Sequence, residues 1–241
     1  MITLYRFPIS HFSEKARLFL DYKKVGYQVV DWKVGLPQLR LLRMTGQRKV
    51  PVIDHDGRMV FDSTEIGLYL DRAFPDAPRL VPDDERLRRE VLELEDRIDR
   101  GFGVATALVW LRRQAYEPEM ERMLRVEVAG IGNLGAKGLA ALLRSGEKGF
   151  AHERFDRAEK KVRAILEELT ERLRDRPYLV GDQPTLADFA AAGLALHLKF
   201  PHSRFFPFPE LQGRGVRGIA DDPTLRPFFE WRDQLYADFA S

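Results

Sequence analysis

Hydroxyl and carboxyl side chains stand at two positions where a helix is predicted to begin. Ser10 precedes an amphipathic helix, and Asp62 and Ser63 separate a short apolar run from the next helix. Ser and Asp are favoured there because their side-chain oxygens accept hydrogen bonds from the first backbone N–H groups of a helix. The remaining N–H groups and the helix dipole favour bound anions. The helix start at Asp62 and Ser63 could therefore hold a carboxylate, and the helix start at Ser10 could stabilise a thiolate that a ligand supplies.

A β-hairpin is predicted between these two helix starts. Apolar runs at 50–53 and 59–61 flank an Asp-Gly dipeptide at 56–57, which favours a tight turn because Gly tolerates positive φ. Pro51 cannot donate a hydrogen bond, so at the start of the first strand it indicates either a strand edge or a cis peptide bond. With a cis bond, the backbone of Val50 would turn outward. We expect it to pair there with an extended peptide.

Two further motifs favour structural roles. Residues 130–135 fit the pattern G-x-G-x-x-G, and Asp156 lies near the distance expected for a ribose-binding acid. That motif needs a preceding strand, whereas residues 120–128 read as a helix, so an interhelical loop is the favoured interpretation. Thr185 and Asp188 have the spacing of a capping box, which accounts for this acid without catalysis.

Metal and hydrolase sites have little support. The five histidines include no i, i+4 pair beside an acid, so a zinc site is not expected. They are His11, His55, His152, His197 and His202. His197 lies in an apolar helical run, where a core or pocket-lining role is favoured. The chain has no G-x-S-x-G motif, so a hydrolase triad is not indicated.

Composition and charge exclude other classes of function. The 241 residues include 39 Lys and Arg and 37 Asp and Glu, a balance that does not favour nucleic acid. The chain has no cysteine, which excludes disulfides and a protein thiol nucleophile. The N-terminus lacks a signal-peptide pattern and no run of about twenty apolar residues occurs, so we expect a cytoplasmic protein.

The order of predicted elements divides the chain into two domains. Residues 1–75 have the order βαβ-α-ββα, a small mixed sheet with a parallel crossover and covering helices. A Pro-rich linker at 76–84 leads to an all-helical domain at 85–241. The expected strands are 2–7, 27–30, 50–53 and 59–61. The expected helices are one from Ser10 or Ser13 to Gly26, a short helix or loop at 36–44, and helices at 63–74, 85–115, 119–128, 139–144, 152–174, 185–198 and 225–239.

The chain resembles the cytosolic glutathione transferases over nearly its whole length. The resemblance implies a thioredoxin-like α+β N-terminal domain, an all-α C-terminal domain, glutathione as co-substrate without a metal, and a homodimer. It is carried by Ser10-x-x-Ser13-x-Lys15-x-Arg17, Val50-Pro51, Asp62-Ser63, Leu68-x-Leu70 and Tyr178-Leu179-x-Gly181-Asp182-x-Pro184-Thr185-x-Ala187-Asp188.

The resemblance also implies how glutathione would be bound. The Val50-Pro51 bond would be cis, and the Val50 backbone would pair with the cysteinyl part of the ligand. Asp62, where the family more often has Glu, and Ser63 would hold the γ-glutamyl end. Lys49 would reach the glycine carboxylate.

Catalysis would depend on a serine hydroxyl beside the thiol of the ligand. Ser10 matches the thiol-activating position of the family, and Ser13 is the alternative. The acceptor substrate would lie between the start of the first helix and the first helix after the linker. The residues expected to line this pocket are Ile9, His11, Phe12, Phe102, Thr106, Trp110 and Arg113.

The expected function is transfer of the glutathione thiolate to an electrophilic, hydrophobic substrate, as in detoxification. Two alternatives stay open. The stretch from Met44 to Ser63 also resembles bacterial β-etherases, which cleave aryl ethers with glutathione, and the same fold can serve as a non-enzymatic interaction protein. Glutathione binding and ionisation of the bound thiol distinguish an enzyme from an interaction protein. We expect no nucleic-acid or membrane partner.

Overall fold

The N-terminal part of the chain forms a four-stranded sheet covered by helices. A computed structural model describes residues 1–33, 37–114 and 150–240. The element order βαβ-α-ββα is confirmed. The elements are β1 (Ile2–Arg6), α1 (His11–Tyr22), β2 (Tyr27–Asp31), α2 (Pro37–Thr45), β3 (Val52–His55), β4 (Arg58–Phe61) and α3 (Ser63–Ala73).

The sheet has the strand order β2-β1-β3-β4. β1 and β2 are parallel, which confirms the predicted crossover, whereas β3 is antiparallel to both of its neighbours. The register pairs Ile2 with His55 and Tyr5 with Val52. β1 and β3 therefore form the centre of the sheet, and their apolar residues Leu4 and Ile53 are fully buried.

The predicted Asp-Gly hairpin is confirmed, with a different first strand. Asp56 and Gly57 have φ values of 52° and 89°, the two positive angles of a tight hairpin turn. The Asp54 carboxylate accepts a 2.7 Å hydrogen bond from the Gly57 N–H and fixes the turn. The first strand begins at Val52 and not at residue 50, because Pro51 has no N–H to donate to a ladder.

The described C-terminal part is helical. Its helices are α4 (Glu85–Gln114), α5 (Phe150–Arg172), α6 (Leu186–Leu194) and α7 (Arg226–Phe239), with 3₁₀ turns at Ala195–His197 and Pro209–Leu211. The helices expected at 119–128 and 139–144, and the G-x-G-x-x-G motif at 130–135, lie outside the described residues.

Three helices differ from their expected course. α1 ends at Tyr22 and not at Gly26, since Lys24 adopts a positive φ of 53°. α4 is kinked at Gly103, whose φ of 0° and ψ of −116° are not helical. The helix expected at 185–198 ends at Leu194 and continues as a 3₁₀ turn.

The buried helix α6 fixes the position of α1. Every residue of α6 is buried, and the helix packs against α1 and α4. A Cβ atom at Gly193 would lie 2.7 Å from the backbone of Lys15, so only glycine permits this close approach of the two helices. Among the residues that the structure describes, no helix has the length and apolar character needed to cross a bilayer.

Candidate functional site

The sheet register brings three chain segments to one end of the sheet. Val52 pairs with Tyr5 on one side and with Phe61 on the other. The chain after Tyr5, the chain before Val52 and the chain after Phe61 therefore all leave the sheet at the same end. These three segments contain the residues that the sequence assigns to ligand binding and thiol activation.

Ser10 is the N-cap of α1, as its residue type predicts. Its φ of −78° and ψ of 115° are extended, and its Oγ accepts a hydrogen bond from the Ser13 N–H at 3.3 Å. The hydroxyl proton of Ser10 remains able to donate. Ser13 is fully buried, and its own Oγ has no hydrogen-bond partner within the described part of the chain. Of the two serines, Ser10 is the one that a ligand can reach.

Asp62 is the N-cap of α3 and is exposed to solvent. Its carboxylate accepts hydrogen bonds from the N–H groups of Thr64 at 2.8 Å and Glu65 at 3.3 Å. The φ of Asp62 is 67°, a left-handed conformation that costs a non-glycine residue on the order of 1–3 kcal/mol. The next residue, Ser63, is buried.

The third segment precedes β3. The Val50-Pro51 peptide bond is cis. Val50 lies before the first paired residue of β3, so its backbone takes no part in the ladders with β1 and β4. Lys49 is exposed beside it.

A buried lysine joins the three helices next to this end of the sheet. Lys15 on α1 is fully buried, and its ammonium donates to the Thr64 Oγ1 on α3 at 3.2 Å. It also donates to two carboxylates of α4, Glu95 and Asp99, the latter at 2.8 Å. The Thr64 hydroxyl donates to Glu95 at 2.5 Å. Lys15 therefore holds the start of α3 against α1 and α4.

This cluster contains more negative charge than positive charge. Burial raises the pKa of the Asp99 carboxyl to about 6, against the lowering effect of Lys15, and the carboxylates of Glu95 and Asp62 raise it further. The carboxylates of Glu95 and Asp99 both contact the single ammonium of Lys15, and the Asp62 carboxylate is close enough to act on Asp99. A second cation arriving near Asp62 would relieve the repulsion between them.

Four of the predicted acceptor-pocket residues meet around His197. The ring centroids of His11 and His197 lie 4.7 Å apart, and those of Trp110 and His197 lie 5.8 Å apart. The Phe12 ring lies 4.6 Å from that of His11. A hydrogen bond joins the His197 ring to the backbone of Ile9.

Two other predicted pocket residues, Phe102 and Thr106, are enclosed by the protein. Phe102 is fully buried in the helical core, with its ring 6.4 Å from that of Phe228. Thr106 is also fully buried, and its hydroxyl donates to the Gly103 carbonyl at 3.4 Å. These two side chains offer no surface to a ligand. The side chain of Arg113 lies outside the described residues.

His197, for which the sequence favours a core or pocket-lining role, is buried against the rings of His11 and Trp110. Burial lowers its pKa to about 4, and burial together with the neighbouring His197 lowers the pKa of His11 well below the ordinary value. Both rings are therefore neutral near pH 7. No spacing in the sequence connects His197 with residues of α1 and α4, so only the packing of α6 reveals the contact.

The predicted capping box is confirmed as a structural feature. The Asp188 carboxylate accepts hydrogen bonds from the backbone of Thr185 and Leu179, each at 2.8 Å. Burial raises the pKa of Asp188 to about 6. This acid stabilises the start of α6 and the loop before it.

Comparisons with known proteins agree with this geometry. The family model "Glutathione S-transferase, N-terminal domain" matches residues 4–90, and "Glutathione S-transferase, C-terminal domain" matches residues 153–235. A probable glutathione S-transferase GSTU1 of Oryza sativa subsp. japonica is 30% identical over 146 residues, which cover 55% of this chain and 62% of the relative. The matched part thus spans less than two thirds of that relative.

Solved structures of low sequence identity share the fold. Rice GST1 in complex with glutathione has a TM-score of 0.64 at 21% identity, covering 98% of this chain and 87% of that one. The β-etherase LigF from Sphingobium sp. strain SYK-6 has a TM-score of 0.62 at 23% identity, covering 95% of this chain and 98% of that one. With both family models matched in order along the sequence, the chain belongs to the glutathione S-transferase family.

Proposed function

We propose that this protein transfers the thiolate of glutathione to an electrophilic carbon of a hydrophobic second substrate. The observation that carries the proposal is the sheet register, since it gathers the helix start at Ser10, the unpaired backbone at Val50 and the helix start at Asp62 at one end of the sheet. A γ-glutamyl tripeptide offers a matching set of groups, namely an ammonium, two carboxylates, a peptide backbone and a thiol.

The γ-glutamyl end binds at the start of α3 in this proposal. Its ammonium pairs with Asp62, beside the acidic cluster around Lys15, and its carboxylate binds at Ser63 and the free N–H groups of the helix end. The cysteinyl backbone pairs with Val50. The exposed Lys49 binds the glycine carboxylate. The glutathione complex of the rice relative supports the choice of ligand.

The reaction needs a thiolate at neutral pH. An ordinary cysteine thiol has a pKa of about 8.5, and a hydrogen bond donated by Ser10 at the positive end of α1 lowers it. The thiol proton leaves to solvent, the sulfur forms a bond to carbon, and the leaving group departs with its electron pair. In an addition to an activated alkene, the carbon next to the carbonyl takes up a proton instead.

Domain limits, location and assembly complete the proposal. We place the glutathione-binding domain at 1–75, the linker at 76–84 and the helical domain at 85–241, in a cytoplasmic homodimer. Val104 on α4 is 68% exposed, which gives that helix an apolar contact for a second copy. Light scattering at micromolar concentration should give twice the chain mass of 27.9 kDa. A single-chain mass at every concentration would exclude the dimer.

The test of function combines glutathione calorimetry with a panel of electrophiles and aryl ethers. We expect glutathione binding and conjugation of several electrophiles, measured as loss of free thiol above the uncatalysed rate. Binding without turnover would favour the interaction protein, and turnover restricted to aryl ethers would favour the β-etherase. Absence of glutathione binding would refute the proposal.

A further inference from the structure

Three buried ring nitrogens in the acceptor region lack hydrogen-bond partners within the described part of the chain. They are Nε2 of His11, Nε1 of Trp110 and Nδ1 of His197. The three side chains are only 8%, 6% and 6% exposed, respectively. Buried polar atoms are nearly always hydrogen-bonded, because leaving one unpaired costs free energy. We call these three residues the nitrogen cluster.

The protein contacts of the two histidines fix what their unpaired nitrogens can do. His11 makes a hydrogen bond to the backbone of Gly103 and His197 one to the backbone of Ile9, and both bonds favour the protonated ring. Bonds of that kind run from a ring N–H to a carbonyl oxygen. In a neutral ring the second nitrogen is then an acceptor.

The cluster therefore presents two acceptors and one donor. The indole N–H of Trp110 can only donate. A carbonyl or carboxylate group would satisfy Trp110 but has no proton for His11 and His197. An ammonium group would satisfy the histidines but offers no acceptor to Trp110. A hydroxyl group pairs with both kinds of atom at once, since its proton is donated to one of the two histidine nitrogens while its oxygen accepts from the indole, and only the other histidine nitrogen is left unpaired.

The surroundings of the cluster are aromatic. The Phe12 ring lies 4.6 Å from His11, and the Phe200 ring lies 6.2 Å from Trp110. His11 directly follows Ser10 in the chain, so their Cα atoms are about 3.8 Å apart. A ligand that reaches the nitrogen cluster thus lies beside the hydroxyl that we assign to thiol activation.

We propose that the nitrogen cluster binds one hydroxyl group of the second substrate, so that hydroxylated aromatic electrophiles are the preferred acceptors. The inference rests on the proposed transferase function, because it identifies the substrate class of the same site. A single buried water could also donate and accept in such a place. The experiment must therefore separate a substrate site from a structural water.

The first measurement compares benzylideneacetone with its meta-hydroxy derivative as acceptors for glutathione. Each kcat/KM is divided by the uncatalysed rate constant to remove the intrinsic difference in reactivity. We expect the wild-type protein to favour the hydroxy compound about fivefold, the effect of one good hydrogen bond. Trp110→Phe should bring this ratio close to one. His202→Ala, which alters an exposed histidine outside the cluster, should keep the wild-type ratio.

The second measurement needs no turnover. Calorimetry compares binding of 3-ethylphenol and ethylbenzene to the wild-type protein and to Trp110→Phe. The phenol should bind more tightly, and the variant should lose that preference while its melting temperature stays the same or rises, because an unpaired buried donor has been removed. Equal binding of both compounds, or a lowered melting temperature with an unchanged preference, would mean a structural water and would overturn the inference.

The two measurements also separate this inference from the proposed function. If both acceptors are conjugated at equal normalised rates and both probes bind equally, the transferase stands and the hydroxyl site is refuted. If no electrophile is conjugated but the phenol binds in a manner that depends on Trp110, the transferase fails and the hydroxyl site stands as a binding site.

Discussion

The Ser10 hydroxyl differs from that of Ser13 in what it can contact. Ser10 accepts a backbone hydrogen bond and keeps its proton for a ligand, whereas Ser13 is enclosed by the protein. The two residues lie three positions apart, and both residue types suit a helix start. The sequence alone therefore leaves them as alternatives, and the burial of Ser13 is what separates them.

Replacing Ser10 should raise the pKa of the bound thiol. A hydrogen bond to a charged group contributes about 1.5–3 kcal/mol, so Ser10→Ala should raise that pKa by about one unit or more and lower kcat/KM about tenfold. Ultraviolet absorbance of the thiolate, titrated with glutathione bound, measures the first effect. Ser13→Ala is the matched control and should change both quantities little. The reverse result, with Ser13 decisive, would reassign the activating residue.

Asp62 is expected to anchor the ammonium of the ligand. Loss of its charge in Asp62→Asn should weaken glutathione binding roughly tenfold, the value of one charge-assisted hydrogen bond. The fold should lose little stability, since Asn also caps helices. Calorimetry gives the affinity. Glu65→Gln removes the next exposed acid of the same helix end and should leave the affinity unchanged. Equal losses of affinity in the two variants would indicate a general electrostatic effect of negative charge at this helix end and would contradict a direct contact between Asp62 and the ligand ammonium.

At the scale of elements, Lys15 joins α1, α3 and α4 through one buried ammonium. Removal of that charge in Lys15→Met leaves Glu95 and Asp99 without their cation. Breaking a buried pair in this way costs about 3–5 kcal/mol, and urea unfolding should show a loss of that size. Lys161→Met on α5, where the lysine is exposed, serves as control and should change stability by less than about 0.5 kcal/mol. An equally small loss for Lys15→Met would show that the cluster does not stabilise the fold.

The elements themselves were predictable wherever the signal is local. Local signals explain the helix caps at Ser10, Asp62 and Thr185 and the Asp-Gly turn at 56–57. Each of these features depends on residues only a few positions apart in the sequence. The element ends that differ depend on backbone conformations with no local rule. Lys24 adopts a positive φ although it is not a glycine. The kink in α4 lies at Gly103, and the sequence alone does not distinguish this glycine from Gly101 as the position of a kink.

At the scale of the whole molecule, the site depends on contacts between distant parts of the chain. Lys15 meets Glu95 and Asp99 across 80 and 84 positions. Periodicity within α4 places Phe102 and Trp110 equally well near the predicted pocket. Only the packing of α5, α6 and α7 around α4 buries Phe102 against Phe228 and leaves Trp110 beside His197. The three segments of the proposed binding site could thus be located from the sequence, while the packing around Phe102, Trp110 and His197 could not.

Burial of His197 makes the stability of the whole fold depend on pH. Its pKa is about 4 in the folded protein and about 6.5 in an unfolded chain. Between these values the unfolded state binds more protons, so this residue lowers the free energy of unfolding as the pH falls from about 6.5 to 4, by about 3 kcal/mol in total. The carboxyls of Asp99 and Asp188, with pKa values raised to about 6, act in the opposite direction over a similar range.

Because these opposing contributions overlap, the pH dependence of the wild-type stability alone does not reveal the contribution of His197, and a variant is needed to isolate it. His197→Gln keeps an N–H that can donate to the Ile9 backbone and has no group that titrates in this range. Urea unfolding at a series of pH values should show that the variant loses less stability than the wild-type protein between pH 6.5 and 4. The difference should grow as the pH falls and vanish above about pH 7. Parallel curves would mean that His197 binds protons equally in the folded and unfolded states, and would contradict the lowered pKa of its buried ring.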